Sequence, residues 1–310
     1  MTLAELSVTQ KVIINLLLIA VGYLIKRLGL VAREDGRVLN RMVLYITLPA
    51  MNLRVISNTD LSWQLFILPV VFLAAGLLMS QMSKGPAALL QLNKADTGTF
   101  VVSLCGVMAS LAYPFIEAAY GDEGISVVAI SDLGNAIAIF AVAYYLSFRY
   151  TTNGNFNARQ ILRKVAAFYP LHAFLIAIAF NLGQVKLAGL AGGLIETLAA
   201  LNSPLMLLSL GIYLDLDISL HESKILFTHI VYKYGIGLLI SLFCIFCLPF
   251  NGTTRAVLFL LPLMPTSLST LLYSVEQNLN PRLAAMLISL TMLVSLVITT
   301  VTILGFRNAF

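Results

Sequence analysis

Charged residues are scarce in this chain. Asp, Glu, Lys and Arg make up 11% of its 310 residues and apolar residues make up 59%, whereas an ordinary soluble domain carries about 25% charged residues. So few charges cannot cover the surface of a soluble protein of this length. The composition therefore indicates a multi-pass membrane protein, and it excludes a separate soluble catalytic domain.

Several motifs that carry chemistry are also missing. Of the three cysteines, Cys244 and Cys247 form a CxxC, but no second CxxC or neighbouring His completes a tetrahedral metal site. The HExxH, GxSxG and phosphate-loop patterns are absent too. We therefore expect neither an enzyme nor a cofactor nor direct use of ATP. The net charge is +5, but the basic residues lie at the ends of apolar segments. We therefore expect no nucleic-acid partner.

What the sequence does have is apolar segments of about 20 residues, the length that crosses about 30 Å of hydrocarbon. We count ten, which predicts an all-α protein embedded in the lipid bilayer. The segments lie near 10–29, 38–57, 63–83, 99–120, 124–148, 165–183, 190–214, 224–249, 255–276 and 282–306.

Basic residues concentrate in the loops after the odd-numbered segments. By the positive-inside rule, this predicts a protein of the cell (cytoplasmic) membrane with both termini outside. The polar stretch 149–164 then becomes a cytoplasmic linker between halves 1–148 and 165–310. The exceptions among the 19 Lys and Arg are Lys11, Arg54, Lys186, Lys233, Arg255 and Arg307.

The two halves are weakly self-similar. Pro49 and Pro204 are 155 positions apart, and Pro114 and Pro265 are 151 apart. Because each half holds five segments, an odd number, the second half enters the membrane with opposite polarity. This predicts two inverted five-helix repeats, an arrangement typical of secondary transporters, whose interrupted helices meet at the binding site.

Prolines interrupt segments four and nine. Pro114 and Pro265 lack an N–H and are expected to free backbone carbonyls at membrane depth, where such groups must be buried in protein or face a cavity. The neighbouring hydroxyls of Ser110, Thr266 and Ser267 then complete a predicted substrate site. The alternative is an ordinary proline kink whose Ser and Thr side chains bond back to their own helices.

Ionisable side chains inside the segments are further candidates. Asp132 and Asn135 share one face of segment five, and His229 and Lys233 share one face of segment eight. We expect Lys233 to balance a negative charge, either on a substrate or on a carboxylate such as Asp132. Asp132, Asn135 and His229 form the predicted coupling or gating network, and the alternative is a structural helix-to-helix hydrogen bond.

The order of these elements resembles the auxin efflux carrier family, which includes malate and malonate permease-like bacterial members and is related to the plant PIN proteins. The resemblance spans the chain and rests on GYLIKRLGLVAREDGRVLNRMVLYITLPAMNL (22–53), YGDEGISVVAISDLGNAIAIF (120–140) and MPTS (264–267). It implies ten helices in two inverted repeats, with broken helices four and nine crossing in a transport domain. It also implies a scaffold that often dimerises and elevator-like carriage of small organic anions.

The chain departs from the family pattern at two places. Val107 stands where many members have an asparagine, and Ser267, Ser269 and Thr270 follow the proline of helix nine where another asparagine is common. Our hypothesis is a secondary carrier of a small organic anion such as a carboxylate. The alternatives are a proton- or sodium-coupled carrier of a neutral or bile-acid-like solute, and a non-transporting sensor or scaffold.

Overall fold

Helices make up all the regular secondary structure of the described part of the chain, so the predicted all-α class is confirmed. The computed structural model describes residues 6–59, 62–151, 169–215, 222–250 and 252–306, with 159, 162, 163 and 166. Most of the predicted linker 149–164 and both chain termini lie outside these residues.

Fifteen helices occur in the described residues, some of them joined by π or 3-10 turns. In chain order they are α1 (Val8–Arg27), α2 (Asp35–Met42), α3 (Leu48–Asn58), α4 (Leu68–Met82), α5 (Lys84–Leu89), α6 (Lys94–Ser103), α7 (Ala109–Ile137), α8 (Tyr144–Tyr150), α9 (Tyr169–Leu182), α10 (Gly189–Ala200), α11 (Asn202–Tyr213), α12 (Ser223–Cys247), α13 (Gly252–Leu260), α14 (Ser269–Glu276) and α15 (Pro281–Phe306).

Six helical segments in the described residues are long and apolar enough to cross a membrane. They confirm a multi-pass protein, although the count is lower than the ten predicted from the sequence. The shorter helices α9 and α13 are apolar as well. The six segments are Val8–Arg27, Trp63–Leu89, Ala109–Tyr150, Gly189–Tyr213, Ser223–Cys247 and Pro281–Gly305.

Two extensive interfaces link the two halves of the chain: α1 packs on α11, and α3 packs on α9. In the first, the backbones touch through glycine. A Cβ added to Gly22 would lie 2.3 Å from the carbonyl oxygen of Leu208, and one added to Gly211 would lie 2.1 Å from that of Ile19. Small residues let helices approach this closely where no hydrophobic effect drives them together.

The long helix α7 folds back on itself at Gly121. This residue has φ 60° and ψ −149°, a conformation that is open to glycine but strained for other residues. Asn135 hydrogen-bonds to Val107, 28 residues away in sequence, whereas a straight helix would separate the two by about 40 Å. The predicted fourth and fifth segments are therefore two antiparallel arms joined by one glycine.

The first interruption does not lie where the proline predicted it. Helix α6 ends at Ser103 and α7 begins at Ala109, while Pro114 is buried inside α7. Proline removes only the hydrogen bond to the Ser110 carbonyl, so the helix continues through it. The chain instead leaves the helix around Gly106, whose φ of 99° favours glycine.

Candidate functional site

The two interrupted helices cross through their non-helical residues. The second interruption contains Pro265 and lies between the 3-10 turn Leu261–Leu263 and α14. The Met108 N–H donates to the Pro265 carbonyl at 2.7 Å, and Val107 and Thr266 form an isolated antiparallel β-bridge. Residues 104–108 and 264–268 therefore form one structural unit, which we call the crossing.

Side chains from neighbouring helices satisfy the backbone of the crossing. Asn135 acts as an amide clamp on Val107: its Oδ1 accepts from the Val107 N–H at 2.8 Å and its Nδ2 donates to the Val107 carbonyl at 2.9 Å. On the other strand, Thr291 Oγ1 accepts from the Thr266 N–H at 3.1 Å. Buried backbone groups need such partners because no water replaces them in the bilayer.

Several carbonyls at and beside the crossing are bonded as well. The Leu263 carbonyl accepts from Ser295 Oγ at 2.7 Å, and the Ser103 carbonyl accepts from Thr266 Oγ1 at 3.1 Å. With Pro265 and Val107 also bonded, four carbonyls at or next to the crossing accept from protein donors. Pro265 was expected to free the Leu261 carbonyl, but this carbonyl accepts from the Met264 N–H at 3.1 Å.

A cavity of about 110 Å³ opens beside the crossing. Since one water needs about 10–15 Å³ on this measure, the cavity has room for several waters or a small solute. The first residues of α7 and α14 line it, which brings two partially positive helix N-termini to one place. Its polar lining is Asn40, Ser110, Tyr113, Asp132, Asn135, Ser267 and Ser269.

The described lining of this cavity contains one carboxyl group, that of Asp132. Asp132 is half-buried, and its Oδ1 accepts from Asn135 Nδ2 at 2.8 Å. The described lining includes no Lys, Arg or His. Asp132 is therefore the ionisable group that a solute in the cavity meets, beside the two helix N-termini.

A second and larger groove, of about 550 Å³, lies between the end of α3 and the loop after α9. It opens at the ends of these helices, and residues 60 and 61 next to it lie outside the described part of the chain. Its lining is Ser57, Asn58, Thr59, Ser62, Asn181, Gln184, Val185 and Lys186. None of the residues of the crossing lines it, so we place the candidate site at the smaller cavity.

The predicted site residues separate into three places. Ser110, Ser267, Asp132 and Asn135 line the cavity. Pro265 and Thr266 belong to the crossing itself, and Pro114 lies within α7, where its carbonyl accepts from Asn15 Nδ2 at 2.9 Å. His229 and Lys233 are fully buried and do not line the cavity.

The predicted pairing of Lys233 with Asp132 does not occur. The ion pairs of the described residues do not include either side chain. Lys233 Nζ has no hydrogen-bond partner within the described part of the chain, while His229 Nε2 lies 2.8 Å from Ser103 Oγ. The predicted network is thus two separate groups, one at the cavity and one at the end of α6.

Sequence reasoning missed Thr291, Asn40 and Tyr113. A threonine inside the apolar run of α15 was the available signal for Thr291, but its register against Thr266 depends on tertiary packing. Asn40 lies on α2, outside the two interrupted helices. Tyr113 is next to Pro114, whose missing N–H was the stronger signal in the sequence. All three now belong to the crossing or to the cavity wall.

One charged cluster lies on a different part of the structure. Arg54 on α3 pairs with Asp122 at 2.7 Å, with Glu196 on α10 at 3.2 Å and with Glu117 at 3.8 Å. Glu117 also accepts a hydrogen bond from Ser203 Oγ. The cluster ties α3, α7, α10 and α11 together beside the fold-back at Gly121, although exposed ion pairs of this kind contribute about 1 kcal/mol or less each.

Helices as the regular structure of the described residues, several membrane-crossing segments and a cavity at two interrupted helices are features of the class of multi-pass membrane transporters. Comparison with known proteins identifies the family within this class. The model of a family described as "membrane transport protein" matches residues 7–303, so the chain belongs to that family, the auxin efflux carrier family. The resemblance noted from the sequence motifs is confirmed.

Two archaeal relatives agree with this placement. An uncharacterised transporter of Methanothermobacter thermautotrophicus is 27% identical over 296 residues, covering 93% of this chain and 95% of the relative. An uncharacterised transporter of Methanocaldococcus jannaschii is 28% identical over 310 residues, again covering 93% of this chain and 95% of the relative. The similarity therefore runs through both interruptions.

Proposed function

We propose that this protein is a secondary carrier of a small organic anion, such as a carboxylate, which binds in the cavity beside the crossing. The observation that carries the proposal is the convergence of two helix N-termini and the hydroxyls of Ser110, Ser267 and Ser269 on one solute-sized space. Helix N-termini attract anions. Hydroxyl donors bond well to a charged acceptor, at about 1.5–3 kcal/mol each.

The proposal includes ten membrane spans in two inverted repeats. Support comes from Thr47 Oγ1, which donates to Asn202 Oδ1 at 2.9 Å across 155 positions. Pro49 and Pro204 have the same separation. Equivalent residues of two repeats touch each other only near the axis that relates the repeats, so this contact supports the proposed repeats. The β-bridge between Val107 and Thr266 likewise joins the two interruptions, which have corresponding places in the two proposed repeats.

Two other pairs of contacts fit an exchange of the halves. The α1–α11 interface corresponds to the α3–α9 interface when the first repeat is swapped for the second. The clamp of Asn135 on Val107 corresponds to the bond between Thr291 and Thr266. In this arrangement the set of helices that carries the crossing slides past the remaining helices, and the cavity opens alternately to the two sides of the cell membrane.

A second candidate function is a cation-coupled carrier of a neutral solute, and Asp132 is the observation that favours it. Its carboxylate lines the cavity with no described cationic side chain in the lining, so an anionic solute needs Asp132 protonated or a cation beside it. Imposing a sodium gradient and a proton gradient separately on proteoliposomes distinguishes the two coupling modes. A bile-acid-sized solute fits less well, since sites for molecules of that size usually enclose about 300 Å³ or more.

The proposal predicts that a small carboxylate stabilises the purified protein. We expect malonate or malate to raise the melting temperature, because a ligand at 100 times its Kd adds about 2.7 kcal/mol. In Ser267→Ala, which loses a cavity hydroxyl without adding bulk, the shift should shrink. The matched control is Ser223→Ala, an exposed serine at the start of α12, which should keep the full shift. Equal shifts in both variants would contradict the site assignment.

A further inference from the structure

Two polar side chains lie fully buried outside the cavity and have atoms without partners. His229 and Lys233 on α12 are each 0% exposed. His229 Nδ1 and Lys233 Nζ have no hydrogen-bond partner among the described residues. A buried polar atom left unpartnered is costly, so two of them on one helix face call for a function.

The hydrogen bonds around His229 define which ring nitrogen carries a proton. Ser103 Oγ donates its single proton to the Phe100 carbonyl at 2.7 Å. The 2.8 Å bond between Ser103 Oγ and His229 Nε2 therefore has Nε2–H as the donor. In the neutral ring, Nδ1 is then an acceptor with a free lone pair. The Phe100 ring packs edge-on against the imidazole at 5.4 Å and fixes its orientation.

The two side chains are neighbours, although Lys233 Nζ and His229 Nδ1 are not hydrogen-bonded to each other. They are four residues apart, so they are neighbours on one helix face. Helical side chains lean toward the N-terminus, which directs Lys233 toward the turn of His229. An ammonium has three donors and no acceptor, while Nδ1 is an acceptor without a donor. The pair therefore has complementary hydrogen-bonding capacity in an otherwise closed environment.

The pair also lies next to both interruptions. His229 bonds to Ser103, the last residue of α6, and the Ser103 carbonyl accepts from Thr266 of the second interruption. One turn beyond Lys233, Gly237 packs so closely on Pro262 that an added Cβ would lie 2.8 Å from the Pro262 carbonyl oxygen. A change of charge at the pair thus acts directly on the elements that form the crossing.

The elements packed on this face bring few other titratable groups. Helix α4 has no charged residue. The charged residues of α6, α13 and α15 lie near the N-terminal ends of these helices, away from the crossing. On α12 itself, Tyr234 Oη donates to the Thr291 carbonyl at 2.6 Å and lies 2.7 Å from Ser295 Oγ, and Cys244 is a buried thiol. The end charges are Lys94 and Asp96 on α6, Arg255 on α13 and Arg282 on α15.

We propose that His229 and Lys233 form a buried proton-binding site that links proton movement to the alternation of the carrier. Occupied, the site holds a Lys233 ammonium beside a neutral imidazole and carries one positive charge. Releasing that proton to water leaves a neutral amine beside a neutral imidazole. A second proton is disfavoured because it would place two positive charges four residues apart in a buried site. This inference rests on the proposed carrier function, whereas the proton site itself is tested without any solute.

Charge movement after a pH jump tests the site directly. Proteoliposomes on a solid-supported membrane, without added solute, should give a transient current as protons enter the buried site. Lys233→Arg keeps the positive charge but cannot release its proton, and His229→Gln keeps a donor toward Ser103 while removing the Nδ1 acceptor. Lys233→Arg should lose the current, and His229→Gln should shift the pH range in which it appears, because Lys233 keeps its amine but loses the imidazole beside it. Controls are Lys224→Met and His172→Gln, whose side chains are exposed, and both should keep it.

Each outcome of this experiment either supports or overturns the proposed proton site. No wild-type current above that of protein-free liposomes would overturn the site, and so would a current that persists in Lys233→Arg or keeps an unchanged pH range in His229→Gln. A variant that does not reconstitute is replaced by Lys233→Met, which removes the titrating group. A lost current together with malonate shifts that ignore the cavity variants would support the proton site and reject the proposed solute site. A current that persists in the Lys233 variant, together with malonate shifts that shrink in the cavity variants, would reject the proton site and support the proposed solute site.

Discussion

Replacing Asn135 with alanine is expected to destabilise the protein strongly and to abolish transport. The Asn135 amide is the partner of both the N–H and the carbonyl of Val107, and it also donates to Asp132. Its removal leaves the buried Val107 N–H unsatisfied, at about 1–3 kcal/mol, while the Val107 carbonyl keeps the Ala109 N–H at 3.1 Å. We therefore expect the free energy of unfolding to fall by about 1–3 kcal/mol, measured by denaturant titration in detergent.

Asn58→Ala is the matched control. Asn58 is exposed and donates only to the Arg54 carbonyl of its own helix, at 2.6 Å. Its loss should change stability by less than about 0.5 kcal/mol. If Asn135→Ala were as stable as Asn58→Ala, then water or another side chain would be serving Val107, and the description of Asn135 as a clamp would be wrong.

The second large effect is expected at Gly134. A Cβ at this position would lie 1.8 Å from the carbonyl oxygen of Pro69 and 2.7 Å from its Cα, both backbone atoms at the start of α4. Alanine can therefore be accommodated only if α4 and α7 move apart. Overpacking of this kind costs about 1–3 kcal/mol and occasionally more. Gly134→Ala should lower the melting temperature and also displace Asp132, which lies on the same helix.

Gly235 offers the same substitution where space is free. It lies inside α12, and an added Cβ would meet nothing within 4 Å. Gly235→Ala should be neutral or stabilise the helix by about 0.5–1 kcal/mol, because alanine has the higher helix propensity. Melting temperatures measured side by side separate the steric effect from the effect of changing glycine in a membrane helix. Equal losses in both would remove the steric explanation.

The sequence predicted the elements of the site better than their geometry. Proline is visible in a sequence because its missing N–H has a local consequence, and Pro265 does lie in an interruption. Pro114 does not, because a helix tolerates the loss of one hydrogen bond and the first interruption depends instead on Gly106 and on the Asn135 clamp. Which side chain reaches which carbonyl is set by packing between helices far apart in the chain. No local pattern carries that information.

The ionisable residues illustrate the same limit. Helical spacing correctly put Asp132 beside Asn135, and the two are hydrogen-bonded at 2.8 Å. It also put His229 beside Lys233, but it could not tell which of these pairs borders the cavity. Val107 was singled out only because it departs from the family pattern, and the structure places it at the centre of the crossing. Its backbone bonds at that position do not require the family asparagine, since Asn135 supplies the amide.

The central claim is that solute passes through the cavity at the crossing, and flux after filling that cavity tests it most directly. Radiolabelled malonate or malate uptake should be measured in proteoliposomes with wild type, Ser110→Leu and Ser223→Leu. Ser110 lines the cavity and Ser223 is exposed at the start of α12. We predict saturable uptake by the wild type and Ser223→Leu, and none by Ser110→Leu. Wild-type uptake in a stably folded Ser110→Leu protein would contradict the account.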